Sequence, residues 1–314
     1  MGAPTTDRRF YRNWHKIRLV LRRIIAVFVV ATATAFAACS SFQAETVDAS
    51  SDAAVDARDA AEEEAPDVAV DSGADGRATS EYALAILADG PKAYWRMGAV
   101  TGGIVIPDET GGGNALTLVG SGYMTGAPGA FADDPAVYFS ATAEAHAAKP
   151  GDLDFSGMQP SFTLECWARQ VNPDAGIEAF PYLVSHVSGS DDDKSENGYF
   201  LYFRNDLLPA TITAEVAAAG NITGYVTAPT MSEDWTHYAL VVENGGATIY
   251  VDGAPKDTQS FTGTVQADPQ RAFVVGGSTR EPDLRHFTGY IDEVAVYAKA
   301  LDAVAIAGHH GLRH

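Results

Sequence analysis

The sequence predicts an all-β fold, a sandwich or a barrel of many short strands, with one short helix at the C-terminal end. Short runs of alternating apolar residues recur throughout residues 81–314, and clusters of Gly, Pro, Asn and Asp separate them. Two of these separators, Asn244-Gly245 and Asp252-Gly253, favour hairpins, because a type I′ turn needs positive φ at both central residues. A segment of this length commonly forms a single β-sandwich domain with an ample core.

The preceding residues, 1–38, have the organisation of an export signal. Seven basic residues and one acidic residue come first, and 15 apolar or small residues, Ile24 to Ala38, follow them. This run is shorter than the roughly 20 residues that a membrane-spanning helix requires. A charged part, an apolar part and small residues in this order predict a secretory signal peptide.

Cys39 stands directly after this segment, and Ala37 and Ala38 precede it. A cysteine after small residues resembles the lipobox of bacterial lipoproteins, although Phe36 occupies a position where Leu is usual. The resemblance implies a lipid on Cys39 that anchors the chain to a membrane. Ser40 follows the cysteine, which resembles lipoproteins sorted to the outer membrane of Gram-negative bacteria. The alternative is an ordinary signal peptide with a coincidental cysteine.

Residues 39–80 are predicted to form a disordered tether. From Ser40 onward they contain eleven acidic residues and two arginines, and no tryptophan or tyrosine. Like charge and scarce apolar surface leave such a segment unable to offset its ordering entropy, and a charged linker extends. An acidic calcium-binding segment is the alternative, but scattered carboxylates lack the rigid loop that calcium selects.

Beyond the export signal the chain is strongly acidic. The whole chain has 21 basic and 41 acidic residues and the first 38 residues hold 7 and 1 of them, so 14 basic and 40 acidic residues remain, a formal net charge of −26. Such a surface repels phosphates, which argues against binding to nucleic acid. It suits solubility and is compatible with oxygen-rich sites for hard cations.

Within residues 81–314, ten segments have the alternation or apolar density of strands. In chain order they are 93–97, 136–140, 161–169, 182–187, 198–204, 211–217, 236–243, 247–252, 272–276 and 287–298. One helix is expected over 302–309, where Asp302 provides the N-cap.

Five blocks of this domain resemble laminin-G-like jelly-roll domains of bacterial surface proteins. They occur in that family's order: YALAILADGPKAYWRMG (82–98), SFTLECWAR (161–169), WTHYALVVE (235–243), ATIYVDG (247–253) and FTGYIDEVAVYAKALDAVAI (287–306). The resemblance implies a concanavalin-like jelly roll of two packed antiparallel sheets, one of them concave. It implies less about function, because this fold hosts lectins, hydrolases and adhesion modules.

Glycoside hydrolases of this architecture carry two carboxylates in a Glu-x-Asp-x-x-Glu pattern, one as acid or base and one as nucleophile. The nearest stretch runs from Tyr290 to Ala295, around Asp292 and Glu293. Tyr290 and Ala295 stand where the two glutamates are required. The missing pair predicts that the protein is not an enzyme of this type.

Alternation along the strand at 161–169 divides its side chains between two faces. Cys166 shares its face with apolar residues alone, which predicts a buried thiol and not a nucleophile. Glu165, Trp167 and Arg169 share the opposite face, where an aromatic plane between polar groups suits a sugar ring. We therefore predict a ligand site at these three residues on the concave sheet. The alternative is that Trp167 fills a second core beneath a loop.

A structural calcium ion is predicted at Asp108, Asn114 and Asp292. The stretch PDETGGGN (107–114) offers oxygen ligands on a glycine-rich loop, and Asp292 lies on the last strand, which in this fold can run beside the opening segment. Calcium takes roughly six to eight oxygens, which three side chains, carbonyls and water can supply. The alternative is a solvated turn. A second acidic loop, 191–198, lacks the glycine and glutamate of an EF-hand and is expected to be a solvated hairpin.

Together these features predict a lipid-anchored binding module of the cell envelope, without catalysis, that recognises a glycan or another surface protein. Two other classes stay open. One is a hydrolase or lyase that uses a different catalytic set on the same fold. The other is a structural envelope protein that contacts only its neighbours.

Overall fold

The computed structural model of the protein describes residues 80–140, 142–171, 180–188, 197–207, 209–218, 221–229, 234–266, 268–279 and 285–313. The predicted export signal, Cys39 and the tether up to residue 79 lie outside these residues, as does most of the loop at 191–198. Among the described residues, no helix has both the length and the apolar character needed to cross a membrane.

Eighteen strands and two helices make up most of the described chain. In chain order the strands are β1 (Ala93–Trp95), β2 (Val105–Ile106), β3 (Leu116–Gly120), β4 (Met124–Phe131), β5 (Asp134–Phe139), β6 (Ala143–Ala147), β7 (Gly157–Met158), β8 (Phe162–Gln170), β9 (Tyr182–Ser188), β10 (Asn197–Arg204), β11 (Thr211–Ala218), β12 (Asn221–Pro229), β13 (Thr236–Glu243), β14 (Gly246–Val251), β15 (Ala254–Ser260), β16 (Thr264–Val265), β17 (Val274–Val275) and β18 (Gly289–Tyr297). The helices are α1 (Glu81–Ala88) and α2 (Ala303–Gly311), and a 3₁₀ helix spans Pro150–Leu153.

The strands form two antiparallel sheets, which confirms the predicted fold class. The eight-stranded sheet has the order β15-β14-β13-β8-β18-β5-β4, and β1 also pairs with β18. The ten-stranded sheet has the order β2-β3-β6-β17-β9-β10-β11-β16-β7, and β12 also pairs with β11. Each of the ten predicted strand segments overlaps one of these strands.

Both predicted hairpin turns are present at the edge of the eight-stranded sheet. Glu243 pairs with Gly246 across the first turn, where φ is 49° at Asn244 and 72° at Gly245. These two positive values are the type I′ conformation that Asn-Gly favours, because Gly has no Cβ to oppose it. Asp252 and Gly253 have φ values of 51° and 73°, so the next hairpin turns in the same way.

The main core lies between the two sheets. Alternate residues of β8 such as Phe162, Leu164 and Cys166 contribute from one side, and alternate residues of β10 such as Tyr199 and Leu201 contribute from the other. Full burial of one such large side chain stabilises the fold by roughly 1.5–3 kcal/mol. The period of two along each strand therefore sets which side chains remain for the outer faces.

The sequence predicts one helix, whereas the described residues contain two α-helices. The predicted one is confirmed as α2, where an oxygen of Asp302 accepts a hydrogen bond from Ala305 N at 2.8 Å. The additional helix, α1, begins after Ser80, whose Oγ accepts from Ala83 N at 3.1 Å. Its eight residues are mostly apolar, so no clear amphipathic period marks it, and the Ser80 cap is the sequence signal that indicates it.

Candidate functional site

The face of β8 that carries Glu165, Trp167 and Arg169 is largely covered. Residues of both helices, among them Tyr82 and Ile306, join Trp167 in a second apolar core on the outer side of the eight-stranded sheet. Glu165 and Trp167 are each 1% exposed, and only Arg169 keeps partial exposure. The prediction of an open aromatic plane at Trp167 is therefore corrected, because alternation identifies a face but not what covers it. The second core of the alternative interpretation is present, beneath helices instead of a loop.

Glu165 attaches the helices to the sheet instead of facing a ligand. Its carboxylate accepts hydrogen bonds from Tyr297 OH at 2.5 Å and from His309 Nδ1 at 3.1 Å, and His237 Nε2 lies 3.3 Å away. Burial alone would raise the pKa of Glu165, but the hydrogen bonds from His237 and His309 outweigh it and lower that pKa to about 2. Glu165 is therefore an internal anion that holds α2 in place.

The predicted calcium ligands occupy two places. Asp108 accepts four hydrogen bonds, from Tyr94 N at 3.3 Å, from Thr110 N and Oγ1 at 3.0 and 2.7 Å, and from Asn114 N at 3.0 Å. The Asn114 side chain, in turn, exchanges hydrogen bonds with the backbone of Lys149 at 2.8 and 3.2 Å. The structure thus joins Asp108 to Asn114 through a loop that both residues organise.

Asp292 has different partners. Its carboxylate accepts from Ala130 N at 2.9 Å and from Glu293 N at 3.0 Å, and it is fully buried. The expected neighbourhood of the last strand and the opening segment is present, because β1 pairs with β18. Within the described part of the chain, no group of three or more His, Cys, Asp or Glu side chains is arranged to hold a metal ion. Calcium binding therefore stays a prediction.

Cys166 lies where the alternation of β8 placed it. It is a free thiol with 0% exposure in the core between the sheets. Burial raises the pKa of the thiol above its ordinary value, with a smaller contribution from the nearby charge of Glu165. The predicted assignment as a buried, unreactive cysteine is confirmed in its geometry.

The outer face of the ten-stranded sheet carries an aromatic cluster, formed by Phe180, Tyr182, Phe200 and Tyr202 and called here the aromatic face. The rings of Tyr182 and Phe200 stack with centroids 5.1 Å apart and an interplanar angle of 9°. The ring centroid of Tyr202 lies 5.3 Å from that of Tyr182 and 6.3 Å from that of Phe180. Phe200, Tyr202 and Tyr182 are at most 7% exposed, whereas Phe180 is partly exposed. The partly exposed ring therefore lies at the rim of the cluster.

Charged side chains surround this rim. The guanidinium carbons of Arg285 and Arg204 lie 5.0 and 5.4 Å from the ring centroid of Phe180, distances at which a cation is attracted to an aromatic face. Arg204 also makes a two-point ion pair with Asp206, with both N–O distances at 2.9 Å. On the opposite side of the cluster, Tyr202 OH donates to Glu215. The aromatic face thus combines apolar rings with donors and acceptors.

A row of paired residues extends from the aromatic face across the sheet. Phe200 pairs with Glu215 on one side and with Ser185 on the other, and Val274 pairs with both Ser185 and His146. At the end of the row, His146 Nε2 lies 2.6 Å from Glu144 Oε1, and the His146 side chain is 30% exposed. The row therefore carries polar side chains on three of its five strands, Glu215, Ser185 and His146.

The sequence contains a signal for this face that the strand assignment alone does not use. In β10, Tyr199, Leu201 and Phe203 point into the core, and the alternate positions Phe200 and Tyr202 are also aromatic. A strand that is apolar on both faces predicts that both are covered or that one of them binds a ligand. The aromatic residues at these alternate positions, Phe200 and Tyr202, are therefore the sequence signal that indicates the aromatic face.

Comparison with known proteins supports this architecture. A family model described as the concanavalin A-like lectin/glucanases superfamily matches residues 141–307, slightly more than half of the chain. No curated protein matches the chain. The match also agrees with the laminin-G-like resemblance of the five sequence blocks.

Several solved structures share the fold at low sequence identity. The receptor-binding domain of botulinum neurotoxin type G is 13% identical, with a TM-score of 0.50, over 71% of this chain and 51% of that chain. The binding domain of botulinum neurotoxin DC is 11% identical, with a TM-score of 0.51, over 72% of this chain and 52% of that chain. Two structures show it, one in complex with rat synaptotagmin II and one with SialylT. The protein spans about half the length of these neighbours.

Proposed function

The chain belongs to the concanavalin A-like lectin/glucanases superfamily, and from this membership we propose that it is a non-catalytic binding module of the cell envelope that recognises a glycan through the aromatic face. The observation that carries the proposal is the rim of that face, where the guanidinium carbons of Arg204 and Arg285 lie 5.4 and 5.0 Å from the ring centroid of the partly exposed Phe180. Apolar rings with a few polar groups around them are the usual composition of a small-ligand site.

The positions of the carboxylates support binding without turnover. Glu144 and Glu215 project from the outer face of the ten-stranded sheet, on β6 and β11, which are four strand spacings apart. Four spacings correspond to about 19 Å. Paired glycosidase carboxylates lie roughly 5–10 Å apart, so this pair does not act as acid and nucleophile on one bond. On β18, Tyr290 and Ala295 take the positions of the missing glutamates.

Two of the fold neighbours are binding domains in complexes with a protein, synaptotagmin II, and with SialylT. A glycan and a surface protein are accordingly the two ligand classes under consideration. We favour a glycan, because a partly exposed ring at the rim of an aromatic cluster offers a stacking surface within a small area. A protein ligand requires about 800 Å² on each partner.

Binding is tested with the full chain, solubilised in detergent, on a glycan array. Phe180→Ala removes the partly exposed ring, and we expect the signal of the strongest hit to fall at least tenfold. Val304→Ala is the matched control, because Val304 is 80% exposed on α2 and lies on the other sheet's side. An array without any hit, or an unchanged signal for Phe180→Ala, contradicts glycan recognition by this face.

We propose that a lipid on Cys39 anchors the chain to a membrane of the cell envelope. This proposal rests on the sequence, because an apolar run and two small residues precede this cysteine. The full chain is then expected in the detergent-soluble membrane fraction, and Cys39→Ser is expected to lose the incorporated lipid label. Cys166→Ser is the control, because this buried cysteine lies within the fold. If the wild-type chain and Cys39→Ser are both recovered as free protein without label, the anchor is wrong.

A further inference from the structure

A second set of surface side chains lies on the outer face of the eight-stranded sheet. Met124 pairs with Tyr138, Tyr138 with Tyr290, and Tyr290 with Arg169, so four residues on β4, β5, β18 and β8 form one cross-strand row. Met124 is 50% exposed, and the other three are partly exposed. Three strand spacings give the row a length of about 14 Å.

The row is an aromatic platform with one cation. The rings of Tyr138 and Tyr290 have centroids 5.1 Å apart, and the guanidinium carbon of Arg169 lies 4.8 Å from the centroid of Tyr290. The ring of Trp235, 6.1 Å from Tyr290, supports the platform from the second core. The rings are therefore held in place before any ligand arrives, which lowers the entropy cost of binding.

Arg169 differs from three other arginines of the domain. Arg96, Arg204 and Arg271 each lie within 4.0 Å of a carboxylate. Arg169 makes no ion pair within the described chain, although the chain as a whole carries a formal charge of −20. An arginine in this setting has N–H donors to offer, and a guanidinium matches a carboxylate through two parallel hydrogen bonds.

We propose that this row binds an acidic oligosaccharide, with Arg169 holding the carboxylate of a uronic acid residue and the rings of Tyr290 and Tyr138 stacking on the sugar. The length of the row exceeds one sugar ring, so it suits a chain of sugars. Four side chains form a smaller area than a stable protein partner requires. This row lies on the eight-stranded sheet, whereas the aromatic face lies on the ten-stranded sheet. The proposal for the row is therefore independent of the function proposed above.

The test is titration calorimetry of the full chain in detergent with tetragalacturonate and with its methyl-esterified form, which has lost the charge. We expect the acidic form to bind at least tenfold more tightly than the ester, because hydrogen bonds to charged groups are the stronger ones. Arg169→Gln is expected to weaken binding of the acidic form at least tenfold and to leave the ester unchanged. Tyr290→Ala is expected to weaken both.

Arg271→Gln is the control for loss of one surface charge and is expected to bind as the wild type does. Arg169→Lys keeps the charge but not the two-point geometry, so its affinity is expected between those of wild type and Arg169→Gln. Thermal melting of each variant separates loss of the site from loss of the fold. No binding of tetragalacturonate, or equal binding by Arg169→Gln and wild type, overturns the proposal. Binding that Arg204→Gln abolishes while Arg169→Gln retains it overturns it too, and assigns the acid to the aromatic face.

Discussion

At the scale of single residues, the most unusual feature is the buried carboxylate pair Asp292 and Glu293. Glu293 has φ of 51° within β18, where the register with β8 shifts. Tyr94 OH donates to Glu293, and Arg96 Nε lies 3.8 Å from its other oxygen while bonding Asp134. Burial raises the pKa of both Asp292 and Glu293, and the charge of Asp292 raises that of Glu293 further. Two adjacent acids in the interior are thus held near one guanidinium.

This arrangement sharpens the calcium prediction. We expect calcium to raise the melting temperature of the full chain and a chelator to lower it, with Asp108 and Asp292 carrying the effect, because a bound cation stabilises the ionised form of the carboxyl groups that hold it. A ligand that binds only the folded state adds about 2.7 kcal/mol at a hundred times its Kd. Asp292→Asn should blunt the response.

Asp192→Asn, in the second acidic loop at 191–198, is the matched comparison for that experiment, because Asp192 is not among the predicted calcium ligands. We expect this variant to leave the response to calcium unchanged. Melting curves that coincide in chelator and in millimolar calcium would exclude the ion and leave Asp292 as an acceptor for backbone N–H groups.

At the scale of elements, α2 is attached to the eight-stranded sheet by an imidazole between two carboxylates. His309 Nδ1 lies 3.1 Å from Glu165, and its Nε2 lies 3.1 Å from Asp89, at the end of α1. Both ring nitrogens donate only when the ring is protonated. Burial opposes the charge on His309, but the hydrogen bond and charge of Glu165, with Asp89, outweigh burial and raise the pKa of His309. His237, Tyr82, Tyr297 and Lys299, whose Nζ lies 4.0 Å from Asp89, are other titratable groups near this contact.

This contact makes the stability of the fold depend on pH. The pKa of His309 is higher in the folded state, so its contribution is complete below the unfolded value of about 6.5 and is lost as pH rises through the folded value. The lowered pKa of Glu165 contributes above its unfolded value of about 4.3, and that contribution is lost as pH falls towards the folded value. Stability from this contact is therefore greatest between these two unfolded values.

The measurement is the free energy of unfolding in urea between pH 5 and pH 9 (chosen to span the titration of an ordinary histidine, about 6.5). We expect the wild-type free energy to decline through the upper part of this range and His309→Gln to lack most of that decline. His146→Gln is the control, because His146 is 30% exposed and lies on the ten-stranded sheet. An equal decline in His309→Gln would show that another group carries the pH dependence.

At the scale of the whole molecule, the sandwich was predictable because hydrophobic alternation and turn residues act locally. The strands that the sequence analysis missed include β4, which contains Gly126, Pro128 and Gly129, and the polar edge strand β15. These strands are held in the sheet by backbone pairing, and their sequences show no alternating apolar pattern from which a strand could be predicted. The predicted faces of β8 were right, but α1 and α2 cover one of them, and a contact between distant segments is not visible in alternation.

The same reason explains which parts of the candidate sites were found. Arg169 was predicted on its correct face, but its neighbours Tyr138 and Tyr290 belong to strands far away in sequence. The aromatic face is likewise assembled by the pairing of β9 with β10. Strand register, and not residue type, brings these groups together. A single sequence therefore predicts which residues lie on a face, but not which residues of other strands lie beside them.

The central claim is that the aromatic face binds a glycan, and hydrogen–deuterium exchange of the full chain with and without the strongest neutral glycan of the array tests it most directly. We expect slower exchange in peptides that cover Tyr182–Ser188 and Asn197–Arg204, because these strands carry the rings at the face. Peptides that cover Phe162–Gln170 on the other sheet are expected to exchange at unchanged rates. Protection confined to the eight-stranded sheet, or identical exchange at saturating glycan, would contradict the account.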